Sequence, residues 1–295
     1  MSNSENNCGD SAARLAALRA EIDAVDEALH DLVMRRAELT EHMGALKAHG
    51  GGTGAPEAQN PIRPAREAAI LRRLAARHSG PLPLSVAVQI WRELIAANLR
   101  RQCAFELAVV ETRDNRLWDM ARAAFGTLTR ATAYFRVEDA VRAAAEAPGT
   151  LAILPAPATS VPEAQIWPEL LAASGAPHVV CALPALRHGD WPEAFAVGSA
   201  PAEPSGEDVS FVLVTGRSPC APEGDFLAQA GLEGRVLAAW PAMSAPGLYC
   251  ALAAVQGFIR SRDAALERLQ DMRREDGGSA ALIGAVPAPI GLPDG

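Results

Sequence analysis

A long apolar stripe near the start of the chain constrains the fold more than any other feature. The stripe predicts one helix over 11–48, with Asp10 or Ser11 as its cap and the glycines at 50–52 as its end. Such a helix is about 54 Å long, which exceeds the width of a small globule. We therefore expect the stripe to pack against the same helix of a second copy. It consists of Leu15, Leu18, Ile22, Val25, Leu29, Leu32, Leu39, Met43 and Leu46.

Two shorter helices are predicted after this one. Pro64 suits the first turn of a helix that runs to about His78, because proline lacks the N–H that the first turn leaves unpaired. Ser85 suits the cap of a third helix that runs to about Gln102. Its predicted apolar stripe consists of Val88, Trp91 and Ile95.

The pattern changes at Phe105, where strand and helix signals begin to alternate. This alternation predicts an α/β lobe over 105–205, with one strand at 178–183. From residue 206 to 292 the predicted order is βαββαβ, which is the order of a ferredoxin-like sandwich. The expected fold is therefore multidomain, with an all-α dimerising domain at 11–104 followed by two α/β regions.

Composition narrows the class of protein. The net charge of −8 disfavours a polyanion such as DNA as the partner. Five scattered cysteines without a CxxC pair argue against a disulfide framework or a zinc site and suit a reducing cytoplasm. The apolar runs are too short for a membrane helix, and the first ten residues lack the features of a secretory signal. We therefore expect a cytoplasmic globular protein without nucleic-acid or membrane partners.

Charged residues on the first helix point to a ligand. Arg36 falls in the seven-residue series of the apolar stripe, and a buried guanidinium cannot lose its proton, so it needs an anion. That anion is either a neighbouring acid or the carboxylate of a ligand. Lys47, the only lysine, projects within about 20° of Arg36. Arg19 lies too far along the helix to meet them within one chain, but a crossed dimer would bring it to the partner copy.

The second and third helices add further polar groups. Arg66 and Glu67 occupy the first turn of the second helix, where a glutamate also suits the helix dipole. Asn98 and Gln102 form a polar i, i+4 pair at the end of the third helix, which is either a solvated helix end or part of a site. Taken together, several cations, one carboxylate and neutral amides suit a small dianion that also bears a hydroxyl and an ether oxygen.

These motifs resemble the all-helical class of chorismate mutase over about residues 12–104. The matching features are LRAEIDAVDEAL, the RR pair near the helix middle, GALK, the RE pair and the terminal Gln. The chain departs from the usual PVRDxxRE, because PIRPARE is one residue shorter and lacks the Asp. The resemblance implies an intertwined three-helix homodimer that rearranges chorismate to prephenate without a cofactor or metal.

The resemblance also implies a role for each candidate residue. Arg36 and an Arg19 lent by the partner copy would bind the two substrate carboxylates. Lys47 and Gln102 would hydrogen-bond the breaking ether oxygen, and Glu67 would accept the ring hydroxyl. Arg66 is a further pocket arginine, and Asn98 stands where the family often has Ser. The implied catalytic residues are thus Arg36, Lys47, Glu67 and Gln102, and the implied substrate-binding residues are Arg19, Arg66 and Asn98.

The C-terminal half resembles a degenerate prephenate dehydratase followed by an ACT domain. LAILPAPATS at 151–160 is similar to the segment GVVPIENS, and Val209-Ser210-Phe211 stands where the dehydratase has Thr-Arg-Phe. Since that Thr and Arg are missing, we expect no dehydratase activity. VQGF at 255–258 and LIGAVPAPI at 282–290 resemble an ACT unit, although AAWPAMS replaces the usual ESRP segment. An ACT unit implies phenylalanine as a possible effector.

Three functions stay open at this point. The first is a chorismate mutase in phenylalanine and tyrosine biosynthesis with a non-catalytic or regulatory C-terminal half. The second is a bifunctional chorismate mutase–prephenate dehydratase whose second site uses other residues. The third is a non-enzymatic helical dimer with an amino-acid-sensing tail. Helical proteins of this type also act as isochorismate pyruvate lyases. The charges on the first helix favour an enzyme, because a purely structural dimer has no reason to place charge on its apolar stripe.

Overall fold

The computed structural model describes residues 3–49, 62–157, 166–187, 191–218 and 225–291, with the side chains of all of these except 3–10 and 47–49. The chain forms two compact units, Met1–Ala55 and Pro56–Gly295. The boundary between the two units lies inside the helical domain that was expected at 11–104. The three domain ranges that were inferred from the sequence stay a prediction.

The first unit contains one helix, α1, which spans Asn3–His49. The long helix is confirmed, but Asp10 and Ser11 lie inside it and do not cap it. The reason is that residues 3–10 contain no proline and only one glycine, so the helix continues towards the N-terminus. The nine apolar side chains of the predicted stripe are all between 49% and 73% exposed in this chain.

Two helices, α2 (Pro64–Arg77) and α3 (Leu84–Gln102), open the second unit. Proline begins α2 as expected. The cap of α3 is Pro83 and not Ser85, because the Pro83 carbonyl accepts the first helical hydrogen bonds from the N–H groups of Val86 and Ala87. The predicted apolar stripe of α3 differs from the buried face of the helix: Val88 is buried, but Trp91 and Ile95 are only half-buried. The buried residues of α3 are Leu84, Val88, Arg92, Ala96 and Leu99.

A single nine-stranded sheet forms the body of the second unit, in the order β2-β1-β3-β5-β4-β9-β6-β8-β7. The strands β1, β2 and β3 are parallel, and β5 pairs antiparallel with both β3 and β4. Their bounds are Glu106–Val110 (β1), Arg130–Tyr134 (β2), Thr150–Pro155 (β3), His178–Leu183 (β4) and Ala194–Gly198 (β5). The associated helices are Arg116–Phe125 (α4), Val137–Glu146 (α5) and Trp167–Leu171 (α6). The α/β lobe is therefore confirmed as mixed α/β structure, and the strand at 178–183 has the predicted bounds.

The remaining elements follow the predicted βαββαβ order. They are Asp208–Gly216 (β6), Asp225–Gln229 (α7), Gly234–Pro241 (β7), Tyr249–Gln256 (β8), Ala264–Glu275 (α8) and Ala280–Pro287 (β9). All pairings among β6, β7, β8 and β9 are antiparallel. One parallel pair, Val179 with Gly284, joins this group of strands to β4. Glycine is required at 284 because a Cβ there would collide with the Val179 carbonyl oxygen.

Arg72 ties α2 to the ends of β6 and β9. Its Nη1 donates to the carbonyl and hydroxyl of Ser205, and its Nη2 donates to the carbonyls of Glu207 and Ala288. The Glu207 carbonyl also accepts the Ala288 N–H, so the guanidinium joins a hydrogen-bond network that closes the β6–β9 pair. Arg63, immediately before α2, adds a salt bridge to Glu203 at 2.9 Å. These contacts hold α2 against the sheet.

We expect Arg72→Ala to lower the free energy of unfolding by about 2–3 kcal/mol, because four acceptors lose a charged donor. Urea denaturation monitored by tryptophan fluorescence measures this loss. The control is Arg73→Ala, which removes an exposed arginine from the same helix and should change stability by less than about 0.5 kcal/mol. Equal effects of the two substitutions would contradict an anchoring role for Arg72.

Candidate functional site around Glu67

A buried ion pair joins α2 to α3. The Nη1 of Arg92 donates to Oε2 of Glu67 at 2.9 Å, across 25 residues of sequence. The side chains are only 7% exposed for Arg92 and 16% exposed for Glu67. The helix faces that meet here are apolar around the pair, where Leu71 and Val88 are buried. Because this environment gives little solvation, each charge depends on the other.

The pair lies in the wall of a cleft between the two helices and the sheet. The cleft has a volume of about 530 Å³ when the space that opens to solvent is included. Its remaining walls come from α4, β3, β4 and the segment after β9, and they are mainly apolar. The lining includes Ile62, Leu71, Phe125, Leu151, Cys181 and Ile290. The cleft therefore places one carboxylate and one guanidinium in surroundings of low polarity.

The surroundings shift the pKa values of the groups in the cleft. Burial raises the pKa of Glu67, and the positive charge of Arg92 opposes that shift. Burial also raises the pKa of the Cys181 thiol to about 11, so this thiol is neutral near pH 7. On α1, partial burial lowers the pKa of Arg36 from its ordinary value.

The predicted site residues fall in both units. On α1, Arg19 is exposed and Arg36 is half-buried, while the Lys47 side chain lies outside the part of the structure that is described. On α2, Glu67 lies in the cleft and the neighbouring Arg66 is exposed. On α3, Asn98 is half-buried, and Gln102 is exposed as the last residue of the helix.

Within the second unit, the cleft combines Glu67 with a residue that the sequence analysis missed. Arg92 was not predicted because the apolar stripe of α3 was expected to consist of Val88, Trp91 and Ile95, and Arg92 does not belong to that stripe. The detectable signal is the series Val88, Arg92, Ala96, in which a charge stands at four-residue spacing between apolar residues. Arg36 shows the same kind of pattern on the first helix, where a charge stands in an apolar series.

None of the helices in the described part of the chain is both long enough and apolar enough to cross a membrane. Among these same residues, no group of three or more histidine, cysteine, aspartate or glutamate side chains is placed to hold a metal ion.

Comparison with protein families gives a match in the helical region. The family model for chorismate mutase type II matches residues 18–103. This range contains α2, α3 and most of α1. It also contains the seven candidate residues from Arg19 to Gln102.

Two curated relatives carry the same combined name. The chain is 26% identical over 142 residues to the bifunctional chorismate mutase/prephenate dehydratase of Pseudomonas aeruginosa, covering 48% of this chain and 38% of the relative. It is 31% identical over 88 residues to the bifunctional chorismate mutase/prephenate dehydratase of Stutzerimonas stutzeri, covering 29% of this chain and 23% of the relative. The matches thus span well under half of each relative's length.

Solved structures resemble the chain more distantly. One is described as GqqA, a novel type of quorum quenching acylases; it has a TM-score of 0.45 and 16% identity, and the match covers 62% of this chain and 95% of that one. Another is the prephenate dehydratase of Staphylococcus aureus, with a TM-score of 0.44 and 8% identity over 62% of this chain and all of that one. At these scores neither likeness assigns an activity.

The sequence and family comparisons therefore agree on the helical region, where the resemblance seen in the motifs is confirmed. Residues 18–103 of this chain match the chorismate mutase type II family.

Proposed function

We propose that this chain is a cytoplasmic chorismate mutase, an isomerase that converts chorismate to prephenate in aromatic amino acid biosynthesis. The observation that carries the proposal is the match of residues 18–103 to the chorismate mutase type II family. The names of the two curated relatives support it, since both include this activity.

The proposed residue roles follow the family resemblance. Arg36 binds one substrate carboxylate, and Arg19 of a second copy binds the other. Lys47 and Gln102 donate hydrogen bonds to the ether oxygen, and Glu67 accepts the ring hydroxyl. Arg66 and Asn98 complete the set of polar groups that face the substrate.

The chemistry requires binding and electrostatics rather than a covalent intermediate. The rearrangement is a concerted [3,3] shift, so the protein must hold the substrate in its near-attack conformer. Negative charge grows on the ether oxygen as the bond breaks, and preorganised donors stabilise it. Lys47 and Gln102 would supply that stabilisation in the proposed site.

The direct test is an assay of chorismate disappearance with identification of the product. We expect prephenate. Formation of pyruvate and salicylate from isochorismate, without prephenate from chorismate, would instead assign a lyase. No turnover of either compound would favour the non-enzymatic helical dimer with an amino-acid-sensing tail.

We propose further that α1 forms a homodimer through its apolar stripe. The nine stripe residues are about half-exposed or more in the single chain, and contiguous apolar surface of this extent usually marks an interface. A self-associating helix would also bring Arg19 of one copy towards the site of another, as the proposed roles require.

We propose that the C-terminal half lacks dehydratase activity. Ser210 stands where the dehydratase segment has its Arg, and its side chain is fully buried. Its hydroxyl donates to the Gly257 carbonyl at 2.7 Å and accepts the Ile259 N–H at 2.9 Å. Both hydrogen-bonding roles of the hydroxyl are therefore used by the backbone. Val209 in place of Thr supplies no hydroxyl at all.

We accordingly expect purified protein to form no phenylpyruvate from prephenate above the uncatalysed rate. The reason is that Val209 and Ser210 cannot provide the hydroxyl and the guanidinium that they replace. Product analysis by liquid chromatography measures this, with a bifunctional relative as the positive control. Enzymatic phenylpyruvate formation would contradict the expectation and favour the bifunctional alternative, which the relatives' names support.

We also propose that the four strands β6–β9 with α7 and α8 are an ACT-like unit with phenylalanine as a possible effector. The order β9-β6-β8-β7 is that of a ferredoxin-like sheet and supports the ACT-like assignment. The mutase assay repeated with added phenylalanine, together with calorimetric titration, tests the effector.

A further inference from the structure

We propose that Arg92 is a positioning residue for the mutase reaction: it fixes the carboxylate of Glu67 by one oxygen and leaves the other oxygen as an acceptor for substrate. The inference rests on the proposed function, because it deepens the role of Glu67. Nothing in the family comparison assigns a role to Arg92.

The geometry of the pair is that of a partly open salt bridge. Arg92 contacts only Oε2 of Glu67, through Nη1. Among the described residues, Oε1 of Glu67 accepts no hydrogen bond, and the buried Nε of Arg92 has no partner. A bidentate pair would have used both carboxylate oxygens. The single hydrogen bond therefore orients the carboxylate and keeps one oxygen available.

Because Glu67 is largely buried, the ionisation of its carboxylate depends on the positive charge of Arg92. A carboxylate that is 16% exposed in an apolar cleft loses much of its solvation, so its ionised form depends on a nearby positive charge. Arg92 supplies that charge, because its Nη1 lies 2.9 Å from Oε2 of Glu67. Without it, Glu67 would be protonated over a wider pH range and would be a poorer acceptor.

Among the described residues that line the cleft, none besides Glu67 and Arg92 is charged. Cys181 on β4 is the remaining titratable residue of this described lining, and its raised pKa leaves it neutral near pH 7. The lining from β3, from α4 and from the segment after β9 is apolar, with Leu151, Phe125 and Ile290. On the chain before α2, Arg63 is engaged with Glu203.

The pH dependence of kcat/KM tests the inference. In Arg92→Met we expect the acidic limb of the profile to move to higher pH by about 1–3 units, because the opposing charge that lowers the Glu67 pKa is gone. Arg92→Lys retains a charge and should keep the limb near its wild-type position with a reduced rate. Arg73→Met removes an exposed arginine from α2 and should leave the limb unchanged.

The pH dependence of the unfolding temperature provides a second readout that needs no substrate. A carboxyl whose folded-state pKa is raised stabilises the fold below its ordinary pKa and loses that contribution as pH rises through the folded value. In Arg92→Met this decline should extend to higher pH, and Glu67→Gln should abolish it. If Arg92→Met does not fold, the double variant Glu67→Gln/Arg92→Met removes both buried charges and should restore folding but not the rate.

Two results would overturn the inference. One is an acidic limb in Arg92→Met that coincides with the wild-type limb, even where the rate falls, since a purely structural role predicts this. The other is an unchanged acidic limb in Glu67→Gln. Failure of the proposed function looks different: the wild-type protein would form no prephenate, while the unfolding temperature of Arg92→Met would still respond to pH.

Discussion

Replacing Lys47 with alanine is expected to lower kcat for chorismate rearrangement by about 100-fold or more, which is the usual cost of losing one donor to a developing oxyanion. The effect should appear in kcat, because charge on the ether oxygen grows only as the bond breaks. Lys47 is the only lysine in a chain with 27 basic residues, a usage that fits a position requiring a compact point charge.

The matched control for Lys47 is Arg35→Ala, which removes another cation from α1. Arg35 is 63% exposed and forms a surface salt bridge with Glu38, so its loss should leave kcat within about twofold of wild type. Steady-state assays of both variants, with unfolding temperatures as a check on folding, provide the comparison. A kcat for Lys47→Ala as high as that of the Arg35 variant would remove Lys47 from the mechanism.

The sequence predicted the order of elements well because most of them carry a periodic apolar pattern. Both α2 and β4 were located from such patterns, and the βαββαβ order of the last region is confirmed. The elements that were missed, β5 and α6, carry no such pattern. All five residues of β5 are buried, so both faces of this strand are covered. The helix α6 has only five residues and has a proline in its first turn. Neither alternation nor helical spacing can develop in segments of this kind.

The site could be predicted in its residue types but not in its pairing. Glu67 was identified from its motif, whereas its contact with Arg92 depends on how α2 packs on α3 and how both lie on the sheet. That arrangement is held by Arg72 and the ends of β6 and β9, more than a hundred residues away in sequence. Long-range contacts of this type leave no local signal, so the sequence could not show that the carboxylate already has a partner.

The ion pair also refines the proposed role of Glu67. The family resemblance implies that Glu67 accepts the ring hydroxyl, and in the structure one of its two carboxylate oxygens already accepts a hydrogen bond from Arg92. An acceptor that is already half-paired loses less conformational entropy when it binds substrate, because its rotamer is fixed beforehand. The chain therefore stabilises a charged group inside an apolar cleft at the one position where the proposed reaction needs a directed acceptor.

The second large effect is expected from the apolar stripe of α1. Ile22→Asp places a carboxylate in the middle of the stripe, where it would be buried in the proposed dimer without a partner. We expect the dissociation constant of the dimer to rise by at least about 100-fold, since an unpaired buried charge costs several kcal/mol. Mutase activity should fall with it, because Arg19 would no longer reach the site of a second copy.

Ala24→Asp is the matched control for Ile22→Asp, because it introduces the same charge two residues along and away from the stripe. Light scattering coupled to size-exclusion chromatography should show a dimer for wild type and Ala24→Asp and a monomer for Ile22→Asp at micromolar concentration. If the three proteins had one mass, or if Ile22→Asp kept full activity as a monomer, the stripe would not be the dimer interface. If Ile22→Asp alone becomes monomeric and inactive, the exposed apolar face of α1 is required for dimer formation and for the assembly of the site.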